Sequence, residues 1–233
     1  MRILVLSFYY PPDIGPGALR AKSIVDALIK EGPANLQIDI ITTNPNRYSS
    51  LNISSAEFEI NKNISVTRVS LPKHKNGIFD QALAFFYYSL AVLRLTSKKK
   101  WDIVISTSGR LMTASLGAWV SKKNNSKLYL DIRDLFTDNI KNIFSGIYLR
   151  ILMPLLLFLE KWTFSSADKI NVVSPAFLDH FKVILPNLSP SVYTNGVDKI
   201  FFKEKFLINK SQKKITVLYV GNIGDGQGLH KII

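Results

Sequence analysis

The chain has 233 residues, 47% of them hydrophobic, no cysteine, and 30 Lys+Arg against 17 Asp+Glu, for a net charge of +13. That length and apolar content suffice for one large core and exclude both a disordered chain and a small stapled fold. With no cysteine, disulfides, thiolate nucleophiles and cysteine-held metals are excluded, and the composition suits a reducing compartment.

The opening run MRILVLS is too short for a signal peptide and is broken by Tyr9-Tyr10-Pro11-Pro12-Asp13, so it predicts a buried first strand over 3–7. A loop containing Gly15 and Gly17 leads to a helix over 18–31. Its Ala21, Ile24, Val25 and Leu28 keep helical spacing, and Gly32 closes it. A second strand is expected over 38–42, a polar surface loop over 44–63, and a third strand over 64–70. The apolar stretch ALAFFYYSLAVL predicts a long helix over 78–99. A fourth strand over 103–106 follows. The next helix, over 111–122, carries small residues (Ala114, Ser115, Gly117, Ala118) for close packing. A fifth strand is expected over 128–132, a helix over 147–165 bent or interrupted at Pro154, and a sixth strand over 169–173. A short helix over 176–183 behind Pro175 and a seventh strand over 191–194 complete the series.

These strands are apolar on both parities and alternate with helices. That pattern calls for parallel pairing, right-handed crossovers and helices on both faces. The fold class is therefore α/β: residues 1–198 form a doubly wound parallel sheet, Rossmann-like. A polar connector over 199–213 follows. The run ITVLYV then enters GNIGDGQG, which reads as the start of a second Rossmann-like domain over 214–233. One strand and part of a helix cannot form a core of their own, so this second domain is expected to be truncated.

No apolar run reaches about 18 residues, so no spanning helix is expected. The apolar segments 82–93 and 151–159 are either buried helices or a face that rests on a bilayer with lysines as anchor. The charge reflects either biased composition or an anionic partner. The basic clusters Lys98-Lys99-Lys100, Lys122-Lys123 and Lys213-Lys214 sit at element ends with no nucleic-acid motif, so nucleic acid is not expected as a partner.

Three places carry chemistry. Gly15 and Gly17 lie between a strand end and a helix start, where free N–H groups and partial positive charge favour phosphate; Arg20 can add a charge-assisted contact. The same pair also serves in a plain tight turn. Nothing after Gly17 supplies the third glycine of the dinucleotide fingerprint, which counts against a nicotinamide-dependent oxidoreductase. The segment DIRDLFTD places Asp131, Arg133 and Asp134 at the carboxyl end of the fifth strand, where ligands of open α/β sheets sit. These groups can bind hydroxyls, act as a base, or pair among themselves to organise the loop. No Asp-x-Asp occurs, and His74, His180 and His230 have no ligand spacing, so no metal site is expected. The third place is YTNGVD, after the seventh strand.

In this order the segments resemble family-4 glycosyltransferases of the GT-B architecture. The first 32 residues are similar to that family's opening. YTNGVD resembles its NGVD signature at the end of the N-terminal domain, and ITVLYVGNIGDGQGL resembles the start of its C-terminal domain. DIRDLFTD resembles the D-x-R-D-L-W-P segment of a branch that builds surface polysaccharides such as O-antigen. The resemblance implies retaining transfer of a sugar from a nucleotide-diphosphate donor to a lipid-linked or oligosaccharide acceptor, with no cofactor and no metal. It implies Gly15, Gly17 and Arg20 at the donor phosphates, with Gly221, Asn222 and Gly224 opposite, and Asp131, Arg133 and Asp134 facing the acceptor. It implies a cytoplasmic protein, peripheral at the inner face of the cytoplasmic membrane. The family's donor-binding Arg/Lys pair and paired glutamates would lie beyond Ile233, so the 233-residue chain is expected to be inactive alone. The alternative is a non-catalytic Rossmann-like module that binds an anionic membrane surface.

Overall fold

The computed structural model describes residues 1–47, 53–72, 78–135, 137, 147–197, 218–221 and 229. The chain divides into two compact units, Met1–Asn195 and Gly196–Ile233.

The first unit is built on an eight-stranded sheet. In chain order its strands are β1 (Arg2–Leu6), β2 (Gln37–Thr43), β3 (Phe58–Asn61), β4 (Ile64–Val69), β5 (Ile103–Ser108), β6 (Lys127–Ile132), β7 (Lys169–Val172) and β8 (Ser191–Val192). Its helices are α1 (Pro16–Glu31), α2 (Ile78–Thr96), α3 (Leu111–Asn124), α4 (Ile147–Ser165) and α5 (Leu178–Ile184), the last preceded by a 3-10 turn over Pro175–Phe177. The spatial order is β3-β4-β2-β1-β5-β6-β7-β8. All pairings are parallel except β3 with β4.

Successive strand residues point to opposite faces, so β1 feeds two cores. Leu4 and Leu6 join Ala84, Tyr88 and Val92 of α2 and Ala114 and Ala118 of α3. Ile3 and Val5 join Val25 of α1 with Ile38 and Ile40 of β2. The chain steps one way from β1 to β2 and the opposite way from β4 through β8. Right-handed crossovers therefore put α1 on one face and α2 to α5 on the other. Small residues do what their type allows: a Cβ on Gly117 would lie 2.7 Å from the Ser106 Cβ, so α3 sits directly on β5. Ser115 and Thr163 hydroxyls join α3 to α4 at 2.8 Å, and Phe164 meets Phe181 of α5 at 4.8 Å between ring centroids.

The structure departs from the sequence reading in three places. The 44–63 stretch is not all loop: β3 turns back through Lys62 (φ 52°) and pairs antiparallel with β4. Every β3 side chain is exposed, so no buried face marked it in the sequence. Its partner Arg68 is buried and donates to Glu59 Oε1 (2.7 Å), the Ala56 carbonyl (3.1 Å) and the Pro11 carbonyl (2.7 Å), tying the edge hairpin to the β1–α1 loop. Helix α4 runs through Pro154 without interruption. Helix α2 ends at Thr96, whose hydroxyl donates to the Val92 carbonyl (2.8 Å).

In the second unit, 218–221 are described and carry no regular secondary structure; Leu218 and Val220 are exposed. The rest of the strand expected over 215–220, and the connector over 199–213, lie outside the described residues.

Candidate functional site at the carboxyl edge of the sheet

Parallel strands end at one edge, so the segments after β1, β2, β5, β6 and β8 gather there. They enclose a pocket of about 300 Å³ whose lining includes Tyr9, Gly17, Arg47, Gly109, Arg110, Arg133, Asp134 and Asn195. A larger hollow of about 950 Å³ lies elsewhere, along α1 and over Ile103, Ile105 and Tyr129 on the sheet face that α1 covers in part. It is mostly apolar sheet surface, whereas the smaller pocket has converging charged groups at the edge where open α/β sheets bind ligands. The smaller one is therefore the candidate site.

Three guanidinium groups line it. Arg110 Nη2 donates to the Tyr9 hydroxyl (3.0 Å), and its guanidinium lies 4.8 Å from the Phe8 ring centroid. Arg47 lies 5.5 Å from the Tyr9 ring centroid. Phe8 and Tyr9 meet edge to face at 5.1 Å, so the two rings form a fixed shelf for both cations. Arg133 packs on Gly17: a Cβ there would lie 2.9 Å from Nη2. The Arg133 Nε is buried with no hydrogen-bond partner among the described residues. Burial pushes Arg133 below the ordinary arginine range, while Asp131 and Asp134 pull it back up.

Asp134 follows directly. It is exposed as a residue, but its carboxylate lies over Gly109, where a Cβ would come 2.5 Å from Oδ2. Partial burial of the carboxyl raises its pKa, and Arg133 lowers it; burial wins. This group holds a proton at higher pH than an ordinary aspartate.

Asp131 and Arg20 have a different surrounding. Asp131 is fully buried and accepts from Arg20 Nη2 (2.8 Å) and Nε (3.2 Å), Thr107 Oγ1 (2.9 Å) and Asn171 Nδ2 (2.7 Å). Arg20 also donates to the Tyr193 (2.9 Å) and Thr194 (2.7 Å) carbonyls. The pair therefore joins α1, β5, β6, β7 and the segment after β8. It supports the edge on which Asn195 stands.

The structure thus brings Gly17, Arg133 and Asp134 together at the pocket. Gly15 is the residue before α1, with φ 156°, and a Cβ there would lie 2.8 Å from the Arg47 Cδ. Pro16 opens the helix, as its fixed φ favours. Gly221 belongs to the second unit, beside the Tyr219 ring; Asn222, Gly224 and Asp198 lie outside the described residues. The sequence reading missed Arg47 and Arg110. The available signal was position: Arg110 follows β5 by two residues and Arg47 follows β2 by four, both at the carboxyl edge of the sheet. Among the described residues no three His, Asp or Glu side chains are grouped to hold a metal ion.

No protein-family model and no curated protein matches the chain. Solved structures do. Sucrose-phosphate synthase from Thermosynechococcus elongatus is similar with a TM-score of 0.55 at 12% identity, over 83% of this chain and 47% of that one. A UDP-N-acetylglucosamine 2-epimerase is similar with a TM-score of 0.50 at 14% identity, over 83% and 47%. The fold is of the GT-B kind. The chain spans about half the length of these GT-B structures. A synthase and an epimerase share the architecture, so the fold does not fix the reaction.

Proposed function

We propose that this chain is the acceptor-side half of a retaining glycosyltransferase of the family-4 kind. It would transfer a sugar from a nucleotide-diphosphate donor to a lipid-linked or saccharide acceptor in surface polysaccharide synthesis. The supporting observation is the arginine-lined pocket beside the start of α1, at the sheet's carboxyl edge. A departing diphosphate gains negative charge, and fixed guanidinium groups and helix N–H groups stabilise it best when water is excluded. Arg133, desolvated and held by Gly17, is the group placed for that charge. It supplies the role without a metal or other cofactor.

In this reading the bond from the sugar's anomeric carbon to the diphosphate breaks, and a bond to the acceptor hydroxyl forms on the same face. The hydroxyl proton passes to Asp134, whose raised pKa suits a base. Asp131 does not touch substrate; it positions Arg20 and, through it, the segment carrying Asn195. Gly15 and Gly17 keep side chains away from the phosphates.

The test is calorimetric titration of the chain with UDP and with inorganic pyrophosphate. Arg133→Ala is expected to weaken binding at least about tenfold, the loss of one charge-assisted contact. Absence of binding by either probe, or equal affinity in the variant, would overturn the proposal.

A further inference from the structure

The diphosphate reading draws on Arg133 and the start of α1, and gives no part to Arg47 and Arg110. These two arginines line the main pocket with Arg133, but they also line a side cleft of about 30 Å³ that Arg133 does not reach. The two hollows share the Phe8–Tyr9 shelf, and Asn46 and Gln81 complete the smaller one with neutral amides. Asp134 lines the main pocket; among the described residues no carboxylate lines the side cleft.

Both cations are held before any ligand arrives. Arg110 is the residue that precedes α3, and the Tyr9 hydroxyl and the Phe8 ring fix its guanidinium. Arg47 packs against Gly15 and the Tyr9 ring. The residue before it is fixed as well: the Asn46 N–H donates to the buried Asp13 (3.2 Å), and Asn46 Nδ2 donates to Thr43 Oγ1 and the Asn44 carbonyl (2.7 Å each). Guanidinium groups restrained in advance lose less freedom on binding, so more of the contact energy reaches the ligand. Helix α3 adds to the field, since its first turn has no acidic residue and no side-chain cap, and Thr113 of that turn lines the main pocket.

We propose that Arg47 and Arg110 clamp a carboxylate on the acceptor, so that the acceptor sugar is of the uronic-acid class. Size favours a carboxylate over a phosphate. A bound water needs about 10–15 Å³ of free space, so the side cleft takes about two oxygen atoms. A planar carboxylate has two, and the guanidinium fork matches them; a tetrahedral phosphate brings more oxygens than the cleft can hold. The arginines face both hollows, so a sugar with its carboxylate in the cleft has its ring in the main pocket, beside Asp134. Calling that sugar the acceptor rests on the transferase reading; the carboxylate clamp itself does not.

Chemical-shift titration of the 233-residue chain with methyl glucuronide, methyl glucoside and glucose 6-phosphate at physiological salt tests it. The glucuronide is expected to bind at least about tenfold more tightly than the glucoside, the worth of one charge-assisted contact. Arg47→Ala and Arg110→Ala should each remove most of that preference, whereas Arg133→Ala should keep it. Thermal melting checks that the variants fold; Arg47 is exposed, so Arg47→Ala serves should Arg110→Ala melt early. Equal affinity for glucuronide and glucoside, binding of neither, or a preference unchanged in Arg47→Ala overturns the proposal. Tighter binding of glucose 6-phosphate than of the glucuronide also overturns it and assigns the clamp to a phosphate. Parallel titration with UDP separates the two readings. UDP binding without a glucuronide preference overturns the clamp and leaves the transferase reading. A preference that Arg47→Ala removes, in a chain that binds neither UDP nor pyrophosphate, supports the clamp and overturns that reading.

Discussion

Asp131 and Asp134 stand three positions apart and have opposite situations. Asp131 is buried and accepts four hydrogen bonds, so truncation strands a guanidinium and two neutral donors. Asp131→Ala is expected to cost about 3–5 kcal/mol, the range for breaking a buried ion pair by removing one partner. Urea denaturation of the variant measures it. Asp134 sits at the pocket rim and is expected to affect ligand rather than stability. Its folded pKa is raised, so it loses its negative charge as pH falls toward that value, before an ordinary aspartate would at about 3.9. Affinity for pyrophosphate should therefore rise as pH falls through this region. Asp134→Asn should flatten that pH dependence and bind more tightly at neutral pH. Calorimetry across pH, with wild type and variant compared, is the check; a parallel slope in both removes Asp134 from the site.

At the scale of elements, close approach decides which residues are tolerated. The small residues of α3 announce tight packing in the sequence, and Gly117 against Ser106 is where it occurs. The Ser106 hydroxyl also donates to the Thr113 carbonyl (2.9 Å), so β5 and α3 cannot separate cheaply. Gly117→Val is expected to destabilise by about 1–3 kcal/mol through overpacking, read as a lower melting temperature. Strand β3 shows the opposite limit. An edge strand with all side chains in water has no apolar alternation to read; its pairing depends on β4 and on the buried Arg68. Likewise Pro154 marks a bend or a break in the sequence, and the structure excludes the break: α4 continues past it, since packing on α3 and α5 holds a helix that local propensity would weaken.

Across the whole molecule, stability is coupled to charge at the amino edge as well. Asp39 of β2 is pushed up by burial. Hydrogen bonds from Ser65 and Trp101, with the charge and hydrogen bond of Arg2, outweigh this and hold it below the usual carboxylate range. A depressed folded pKa contributes stability that is complete above the unfolded value of about 3.9 and is lost as pH falls through the folded one. Wild type should therefore lose stability in that acid window, and Asp39→Asn, already lacking this contribution at neutral pH, should lose less there. Urea midpoints against pH measure the difference.

The amino-acid order already dictates the alternation of strands and helices, the two-faced burial of the parallel strands, and hence a doubly wound α/β sheet, because periodicity and crossover handedness are local rules. It also brought Gly17, Arg133 and Asp134 to notice, since chemistry at strand ends is legible as position. The packed fold is what reveals that Asp131 pairs with Arg20 and that Arg47 and Arg110 share a pocket with Arg133. It alone decided that the apolar side of α2 faces outward. Those outcomes depend on which side chains from distant segments compete for the same space and the same hydrogen bonds, and no spacing along the chain encodes that.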